Sequence, residues 1–380
     1  MATNTPHGLY VHIPFCISKC AYCDFASVAA NSRLIDDYTK ALCREMTMHK
    51  AAFSAITFDT VFIGGGTPSC IPQENLHRII SSIYDNFSTN IDEFTVEINP
   101  GTGDIHLFEM MQKMGVNRAS VGLQCANDSV LKAIGRIHTI SQFKETINQI
   151  KSAGINNFSA DLISGLPNET KEDLLSSVSL VHSLGGKHIS MYTLKLEDGT
   201  PLKSAVENGS VGLPTDEQEY EMSVAAREYM NKLGYQRYEI SNFAQKGYES
   251  RHNLKYWQRL PYLGVGVAAA SMYNDTRWLN TSSIQEYISS IASNTLPLVE
   301  KSALSKDEIA FEMIMLSTRL AEGMKYSNYN DFTGENFAEK YADILSELKA
   351  QEYILPSSTH FILSQKGMDI QNTILMKFMD

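Results

Sequence analysis

Six short segments rich in β-branched and other apolar residues recur along the first half of the chain, and each is followed by a stretch with helical periodicity. The segments span 9–15, 59–63, 93–98, 118–123, 157–163 and 188–194. Strands that alternate with helices at this spacing predict an α/β fold with βαβ units and a parallel sheet. Six such units predict an open, partial (β/α)6 barrel, and a doubly wound open sheet is the alternative. In both layouts functional side chains gather at the carboxyl ends of the strands.

The pattern changes after about residue 214, where a helix over 216–233 leads into a segment without the strand–helix alternation. From Ser305 onward the periodicity predicts helices over 307–320 and 335–351, two short strands at 353–355 and 361–363, and a last helix. Ser305 and Glu308 have the spacing of a capping box. We therefore expect a smaller α-rich domain resembling a winged helix, and three regions: a core domain 1–233, a connecting segment 234–304 and a C-terminal domain 305–380.

Three cysteines, Cys16, Cys20 and Cys23, follow the first predicted strand with the spacing C-x3-C-x2-C. Structural zinc sites and iron–sulfur clusters both normally use four protein ligands. A four-iron cluster held by only three cysteines would leave one iron free to take a small molecule. The alternative is a zinc site completed by a distant residue, for which His12 is a candidate, although strand alternation turns His12 away from the loop.

The other cysteines are scattered, and six in 380 residues do not form a disulfide scaffold. The sequence shows no signal peptide and no apolar run long enough to span a membrane. We therefore expect a cytoplasmic protein, in a compartment where thiolates stay available for a metal. The formal net charge of −11 argues against a nucleic acid as partner.

Polar residues and a glycine-rich turn close the later strands. The turn at 64–68 reads Gly-Gly-Gly-Thr-Pro, which lets a ligand approach the backbone and matches no phosphate-binding loop. Glu97 could accept hydrogen bonds from an ammonium group, and Arg136 could hold a carboxylate. Gln124 and Asp161 could bond the hydroxyls of a ribose. Each residue alone could be a solvated strand end, but together they suit a zwitterion joined to a nucleoside.

These motifs carry a resemblance to a known family. The segment Tyr10-Val-His-Ile-Pro-Phe-Cys16, with the two cysteines that follow, resembles the radical S-adenosylmethionine (SAM) superfamily in its coproporphyrinogen-oxidase-like branch. The resemblance continues through the 64–68 turn, 97–100, 120–124, 135–136 and 161–167, and covers essentially the whole chain.

The resemblance implies two cofactors. The first is a 4Fe-4S cluster whose open iron is chelated by the amino and carboxylate groups of SAM. One electron, delivered by a donor such as flavodoxin or ferredoxin, would then split SAM into methionine and a 5′-deoxyadenosyl radical. By the same resemblance, the residues that match SAM-cradling positions are Tyr10, Gly65, Gly66, Thr67, Glu97, Gln124, Arg136 and Asp161.

Two members of the branch compete for the function. The oxygen-independent coproporphyrinogen III oxidase decarboxylates two propionates to vinyl groups, and it has a further cysteine where this chain has Phe25. It also has an N-terminal extension, for which a motif starting at Cys16 leaves no room. The second member is a heme chaperone, which shares the Cys-x-Phe ending.

The chaperone also carries an H-N-x-x-Y-W heme motif, which is present here at 252–257. Imidazole is a common ligand of heme iron, so His252 is the candidate ligand, with Tyr256 and Trp257 as a flat apolar surface. A core helix with a buried Trp257 and a capping His252 is the alternative. We therefore expect a heme chaperone that hands heme to an acceptor such as a respiratory enzyme. The oxidase is the alternative function, and whether the protein is an enzyme stays open.

Overall fold

The structure is a computed structural model, and it describes residues 5–29 and 31–379. The outer ends of the two terminal regions expected above, residues 1–4 and 380, lie outside the described residues. The strands are β1 His7–Ile13, β2 Thr57–Gly65, β3 Ser88–Ile98, β4 Arg118–Gln124, β5 Asn157–Ser164, β6 His188–Thr193, β7 Gln236–Arg237, β8 Asn242–Ala244, β9 Tyr262–Val265, β10 Ala270–Tyr273, β11 Thr276–Asn280, β12 Leu298–Ala303, β13 Met324–Lys325 and β14 His360–Phe361.

Helices connect and cover these strands. They are α1 Ser32–His49, α2 Gln73–Asn86, α3 Ile105–Lys113, α4 Asp128–Ala133, α5 Ile140–Ser152, α6 Lys171–Ser183, α7 Pro201–Glu207, α8 Asp216–Lys232, α9 Arg251–Trp257, α10 Ile284–Ala292, α11 Lys306–Ser317, α12 Tyr326–Thr333, α13 Phe337–Lys340, α14 Ala342–Ala350, α15 Gln365–Asp369 and α16 Gln371–Leu375. Short 3-10 turns lie at Pro68–Cys70 and Met376–Phe378.

Strands β1 to β6 lie side by side in chain order, and each pairs in parallel with the next. A doubly wound sheet would reverse its order at a switch point, so this alternative is wrong. Every crossover runs in the same direction, and the sheet forms the partial barrel that the sequence predicted. Alternation along β1 explains the two faces: Leu9, Val11 and Ile13 are fully buried under helices, whereas Tyr10 and His12 face the barrel interior.

Further strands extend this sheet on both sides. Strands β9 to β12 continue it beyond β1, and β8 and β7 continue it beyond β6. The sequence does not predict β8 to β12, because these strands are only three to six residues long, and β9 joins the sheet through a partner far away in the chain, as in the pairing of Gly8 with Tyr262. Part of the segment 234–304 therefore joins the barrel sheet.

The C-terminal residues form a second, smaller core. It gathers buried side chains between Ala310 and Phe378, including Phe337, Leu348 and Phe361. The capping box at Ser305 is confirmed: its hydroxyl accepts from the Glu308 N–H, and the Glu308 carboxylate accepts from the Ser305 N–H. The expected helix over 335–351 is divided into α13 and α14, and the strand expected at 353–355 is a single bridge between Ile354 and Leu363.

Charged pairs join the two cores. Arg227 of α8 and Arg237 of β7 both contact Asp369 at the end of α15, at 2.7 and 3.4 Å. None of the helices formed by residues 5–29 and 31–379 combines the length and the apolar character needed to cross a bilayer.

Candidate cluster and ligand cavity

A cavity of about 650 Å³ lies inside the partial barrel. Its mouth includes Lys195 and Glu197, which follow β6, and its opposite end, here called the floor, includes Arg118 at the start of β4. The cavity is large enough for a cofactor-sized ligand. Eleven of the twelve site residues expected from sequence line it, and the twelfth, Thr67, is buried behind the wall.

The cysteine loop lies between β1 and α1, and one hydrogen bond joins its start to its end while another fixes its middle. The Cys16 N–H donates to the Val28 carbonyl at 3.0 Å, and the Ala21 N–H donates to the Ile134 carbonyl at 3.1 Å. All three cysteines are half-buried free thiols that line the cavity. Burial raises the pKa of the Cys20 thiol, and nearby Arg136 counteracts part of this effect. The described residues contain no group of three His, Cys, Asp or Glu side chains already arranged around a single metal ion.

A chain of hydrogen bonds runs from Arg136 to Cys16. The Arg136 guanidinium donates to Asn99 Oδ1 at 2.9 Å, and Asn99 Nδ2 donates to Thr67 Oγ1 at 2.6 Å. The Thr67 hydroxyl in turn donates to the Cys16 sulfur at 3.5 Å. Such a donor stabilises negative charge on the sulfur, so Thr67 acts on the cysteine from behind the cavity wall.

The glycine turn packs directly against the cysteine loop. A Cβ at Gly66 would come within 2.5 Å of the Phe15 carbonyl oxygen, and one at Gly65, whose φ is +109°, within 2.4 Å of the His12 ring. The Gly66 N–H donates to the Ile13 carbonyl and the Thr67 N–H to the Phe15 carbonyl. The glycines are therefore required for close packing of the loop as well as for access by a ligand.

Two carboxyl groups, those of Glu97 and Asp161, line the cavity close enough for one to affect the pKa of the other. Glu97 accepts a hydrogen bond from the Gly65 N–H at 2.9 Å, and burial, helped by the nearby Asp161, raises the pKa of Glu97 to about 8. Burial also raises the pKa of Asp161, which accepts from the Ser120 hydroxyl at 3.3 Å. A cationic ligand group placed between them would restore their ionised forms.

Four buried polar atoms of cavity-lining residues lack partners within the part of the chain that the structure describes: Ser27 Oγ, Arg118 Nε, Gln124 Oε1 and Arg136 Nε. Two of them, Gln124 Oε1 and Arg136 Nε, belong to the residues expected to contact SAM. Gln124 ends β4 with a φ of +62°, a left-handed conformation. A buried polar atom without a partner costs about 1–3 kcal/mol, and a ligand that carries both a hydroxyl and a carboxylate would satisfy both atoms. The cavity therefore fits the zwitterionic nucleoside expected from the sequence.

Helix α9 closes the cavity floor. The carboxylate of Glu93 accepts hydrogen bonds from the backbone N–H groups of Arg251 and His252, at 2.9 and 3.0 Å. The ring of His252 is 1% exposed, with Nδ1 hydrogen bonded to Thr60 and Nε2 to the Tyr256 hydroxyl, at 2.9 and 2.8 Å. Burial lowers the pKa of His252 to about 3, so its imidazole is neutral.

The side chains of the 252–257 motif diverge. His252, Asn253 and Tyr256 line the cavity, with the Tyr256 ring edge-on to His252 at a centroid distance of 5.2 Å. Trp257 lies outside the cavity lining, where the Arg319 guanidinium stacks 4.2 Å from its ring centre. Tyr256 therefore lies near the histidine as expected, whereas Trp257 contacts the C-terminal core. The N-cap of α9 is Ser250 rather than His252.

The sequence reading missed several cavity residues. Asn99, Arg118, Ser120, Ser190 and Tyr192 also line the cavity. Alternation was the available signal for Ser120, which lies two residues before Gly122 and four before Gln124 on the inward face of β4. No local pattern marks Arg118, which lies at the opposite end of its strand from the polar strand ends.

Comparisons with known proteins agree with this geometry. The family model of the radical SAM superfamily matches residues 10–181, and the model of the HemN C-terminal domain matches residues 304–370. The structure of coproporphyrinogen III oxidase (HemN) from Escherichia coli is similar in fold, with a TM-score of 0.87 at 23% identity, covering 98% of this chain and 90% of that one.

Curated relatives match over nearly the full length. The heme chaperone HemW of Lactococcus lactis is 32% identical, covering 98% of this chain and 97% of the relative. Those of Bacillus subtilis and Escherichia coli are 32% and 30% identical, covering 97% and 100% of this chain and 98% and 100% of the relatives. Radical SAM proteins use a 4Fe-4S cluster and SAM, so both are implied as cofactors here. The chain belongs to the radical SAM superfamily and, within it, to the HemW family.

Proposed function

We propose that this protein binds heme and delivers it to an acceptor protein in the cytoplasm, with the cluster and SAM gating the transfer. The observation that carries the proposal is that one cavity is lined by the cysteine loop, by residues expected to contact SAM, and by His252 and Tyr256 of α9. The relatives named heme chaperones support it. We assign the cluster and SAM to the core domain 1–233 and the heme ligand to the segment 234–304. The C-terminal domain 305–380 contacts α9 through Arg319.

Each group in the cavity has a role in this proposal. Cys16, Cys20 and Cys23 would hold the cluster, which in its reduced form would supply one-electron chemistry to bound SAM. Arg136 binds the SAM carboxylate, and Glu97 accepts from its amino group. The remaining SAM contacts are assigned to Tyr10, Gly65, Gly66, Thr67, Gln124 and Asp161. Electrons come from a small redox protein of the flavodoxin or ferredoxin type, and a respiratory enzyme is the proposed class of heme acceptor.

Replacing Arg136 by methionine should weaken SAM binding by about tenfold to a hundredfold, the value of one charge-assisted contact. Arg136 makes no ion pair with the described residues, so its charge is available to a ligand. Equilibrium dialysis with the cluster-loaded protein measures the change. Arg78→Met removes an exposed arginine paired with Asp36 and serves as the control. Unchanged SAM affinity in Arg136→Met with an intact cluster would contradict the assignment.

Heme titration, followed by the Soret band, tests the function itself. We expect one heme per chain, and we expect His252→Gln to weaken binding by at least about tenfold, because it removes the ligand of the iron. His188→Gln is a matched control: His188 is also buried and bonds a tyrosine hydroxyl at 2.8 Å, but it does not line the cavity.

Tyr256→Phe should speed heme binding, because the Tyr256 hydroxyl is hydrogen bonded to His252 Nε2 in the structure and must release it before iron can bind there.

Two results would count against the proposal. The first is the absence of saturable heme binding by wild-type protein. The second is formation of protoporphyrinogen IX when the cluster-loaded protein is incubated anaerobically with coproporphyrinogen III, SAM and a reductant, since this would identify an oxidase. Phe25, which is 62% exposed at the position of the oxidase's further cysteine, motivates the expected negative outcome.

A further inference from the structure

The floor of the cavity contains a buried arginine without a carboxylate partner. Arg118 is 2% exposed and lines the cavity. Its Nη1 donates to Thr95 Oγ1 at 3.3 Å, and its Nε has no hydrogen-bond partner among residues 5–29 and 31–379. No ion pair formed by the described side chains includes it. A buried charge is normally paired, because its desolvation is costly.

The nearest carboxylates are already engaged elsewhere. Glu93 accepts hydrogen bonds from the Ser250 hydroxyl and from the N–H groups that begin α9. Asp161 accepts from the Ser120 hydroxyl. Other largely buried arginines, which do not line the cavity, differ: Arg237 contacts Asp369 at 3.4 Å and Arg259 contacts Glu312 at 3.0 Å. The charge on Arg118 acts on Asp161 and offsets part of the rise that burial causes in the pKa of that carboxyl, but among the described residues Arg118 forms no ion pair with a carboxylate.

The cavity thus holds two arginines without ion pairs, at different places. Arg136 lies beside Cys20 and the cysteine loop, where its charge acts on that thiol. Arg118 lies at the floor, where its charge acts on the ring of His252. SAM carries one carboxylate, and Arg136 suffices for it. A second anionic group, carried by a ligand that reaches the floor, would complement Arg118.

We propose that Arg118 binds a propionate carboxylate of the heme held in this cavity. The inference rests on the proposed function, because it assumes that heme binds in the cavity with His252 as the ligand of its iron. A guanidinium binds a carboxylate through two parallel N–H groups, which fixes the orientation of the ligand as well as adding affinity. A neutral imidazole for the iron and a cation for the propionate are then adjacent on one floor, so the cavity would select carboxylated tetrapyrroles.

Heme and heme dimethyl ester, whose propionates carry no charge, separate this role from a structural one. Wild-type protein should bind heme at least about tenfold more tightly than the diester. Arg118→Met should lose this preference, and Arg118→Lys, which keeps the buried charge and checks folding, should retain part of it. Arg251→Met removes an exposed arginine of α9 paired with Asp92, and it should keep the full preference.

The outcomes distinguish the two proposals. Equal binding of heme and diester by wild-type protein, or an unchanged preference in Arg118→Met, would overturn the role of Arg118 and leave heme binding in place. Failure of wild-type protein to bind either compound would overturn the proposed function together with this inference.

Discussion

Cys20→Ser protein, reconstituted anaerobically with iron and sulfide, should retain less than about a tenth of the wild-type cluster content, since a cluster corner without a thiolate is not held. Cys20 is the middle cysteine of the three in sequence, and it lines the cavity. The next residue, Ala21, donates its N–H to the Ile134 carbonyl at the end of α4, which fixes the backbone beside Cys20. A serine hydroxyl stays protonated and is a poor ligand for iron. Iron and sulfide analysis per chain, with the visible absorption of the same sample, measures the loss.

Cys70→Ala is the matched control for this prediction. Cys70 is half-buried and lies close enough to Cys16 for an electrostatic interaction between the two side chains. Its thiol donates to the Phe15 carbonyl, however, and does not line the cavity. Burial, with a smaller effect of Cys16, raises the pKa of Cys70 to about 12, so it stays a thiol. Cys70→Ala should keep full cluster content. A colourless wild-type protein that binds one zinc would instead support the zinc alternative and contradict the cluster.

Local patterns were sufficient to predict the barrel and the cysteine loop. The alternation of apolar segments with helices gave β1 to β6 because each of these strands pairs with its neighbour in the sequence. The residues at the carboxyl ends of these strands could be placed together for the same reason. The spacing of Cys16, Cys20 and Cys23 marks a ligand set before any fold is known.

Non-local contacts explain what the sequence did not reveal. Trp257 points away from His252 and packs against Arg319, which lies in the turn after α11, more than sixty positions later in the chain. The two hydrogen bonds that hold the His252 ring involve Thr60, on a distant strand, and Tyr256. Arg118 could not be recognised as a cavity residue, because its lack of a carboxylate partner is a property of the folded barrel.

A buried glutamate ties the helix after the cysteine loop to the added strands. Glu45 of α1 is fully buried and accepts hydrogen bonds from the Gly266 N–H and from Asn280 Nδ2, both at 2.7 Å, and from the Tyr287 hydroxyl. Nearby, Tyr38 of the same helix donates to the His12 carbonyl. These contacts bring the strand that precedes the cysteines together with the loop after β9, so Glu45 supports the geometry of the cavity from outside.

Glu45→Ala should lower the free energy of unfolding by about 3–5 kcal/mol, because it leaves several buried donors without acceptors. Glu45→Gln keeps the shape, and its amide oxygen can accept from both the Gly266 N–H and the Tyr287 hydroxyl, which share Oε2, while its NH2 group then faces the Asn280 Nδ2 donor. Urea unfolding, followed by circular dichroism, measures both changes. Glu145→Ala, an exposed change on α5, is the control and should stay within about 0.5 kcal/mol of wild type.

Wild-type stability should also depend on pH through Glu45. Burial raises the pKa of this carboxyl from 4.5 to about 7 in the folded chain. Its contribution is therefore fully present below pH 4.5 and is lost as the pH rises through about 7. Between about pH 5 and pH 8 we expect the wild type to lose up to about 3 kcal/mol relative to Glu45→Gln, which cannot ionise. Parallel pH profiles for the two proteins would show that Glu45 is already ionised at the lower pH and would contradict a role for its protonation in closing this network.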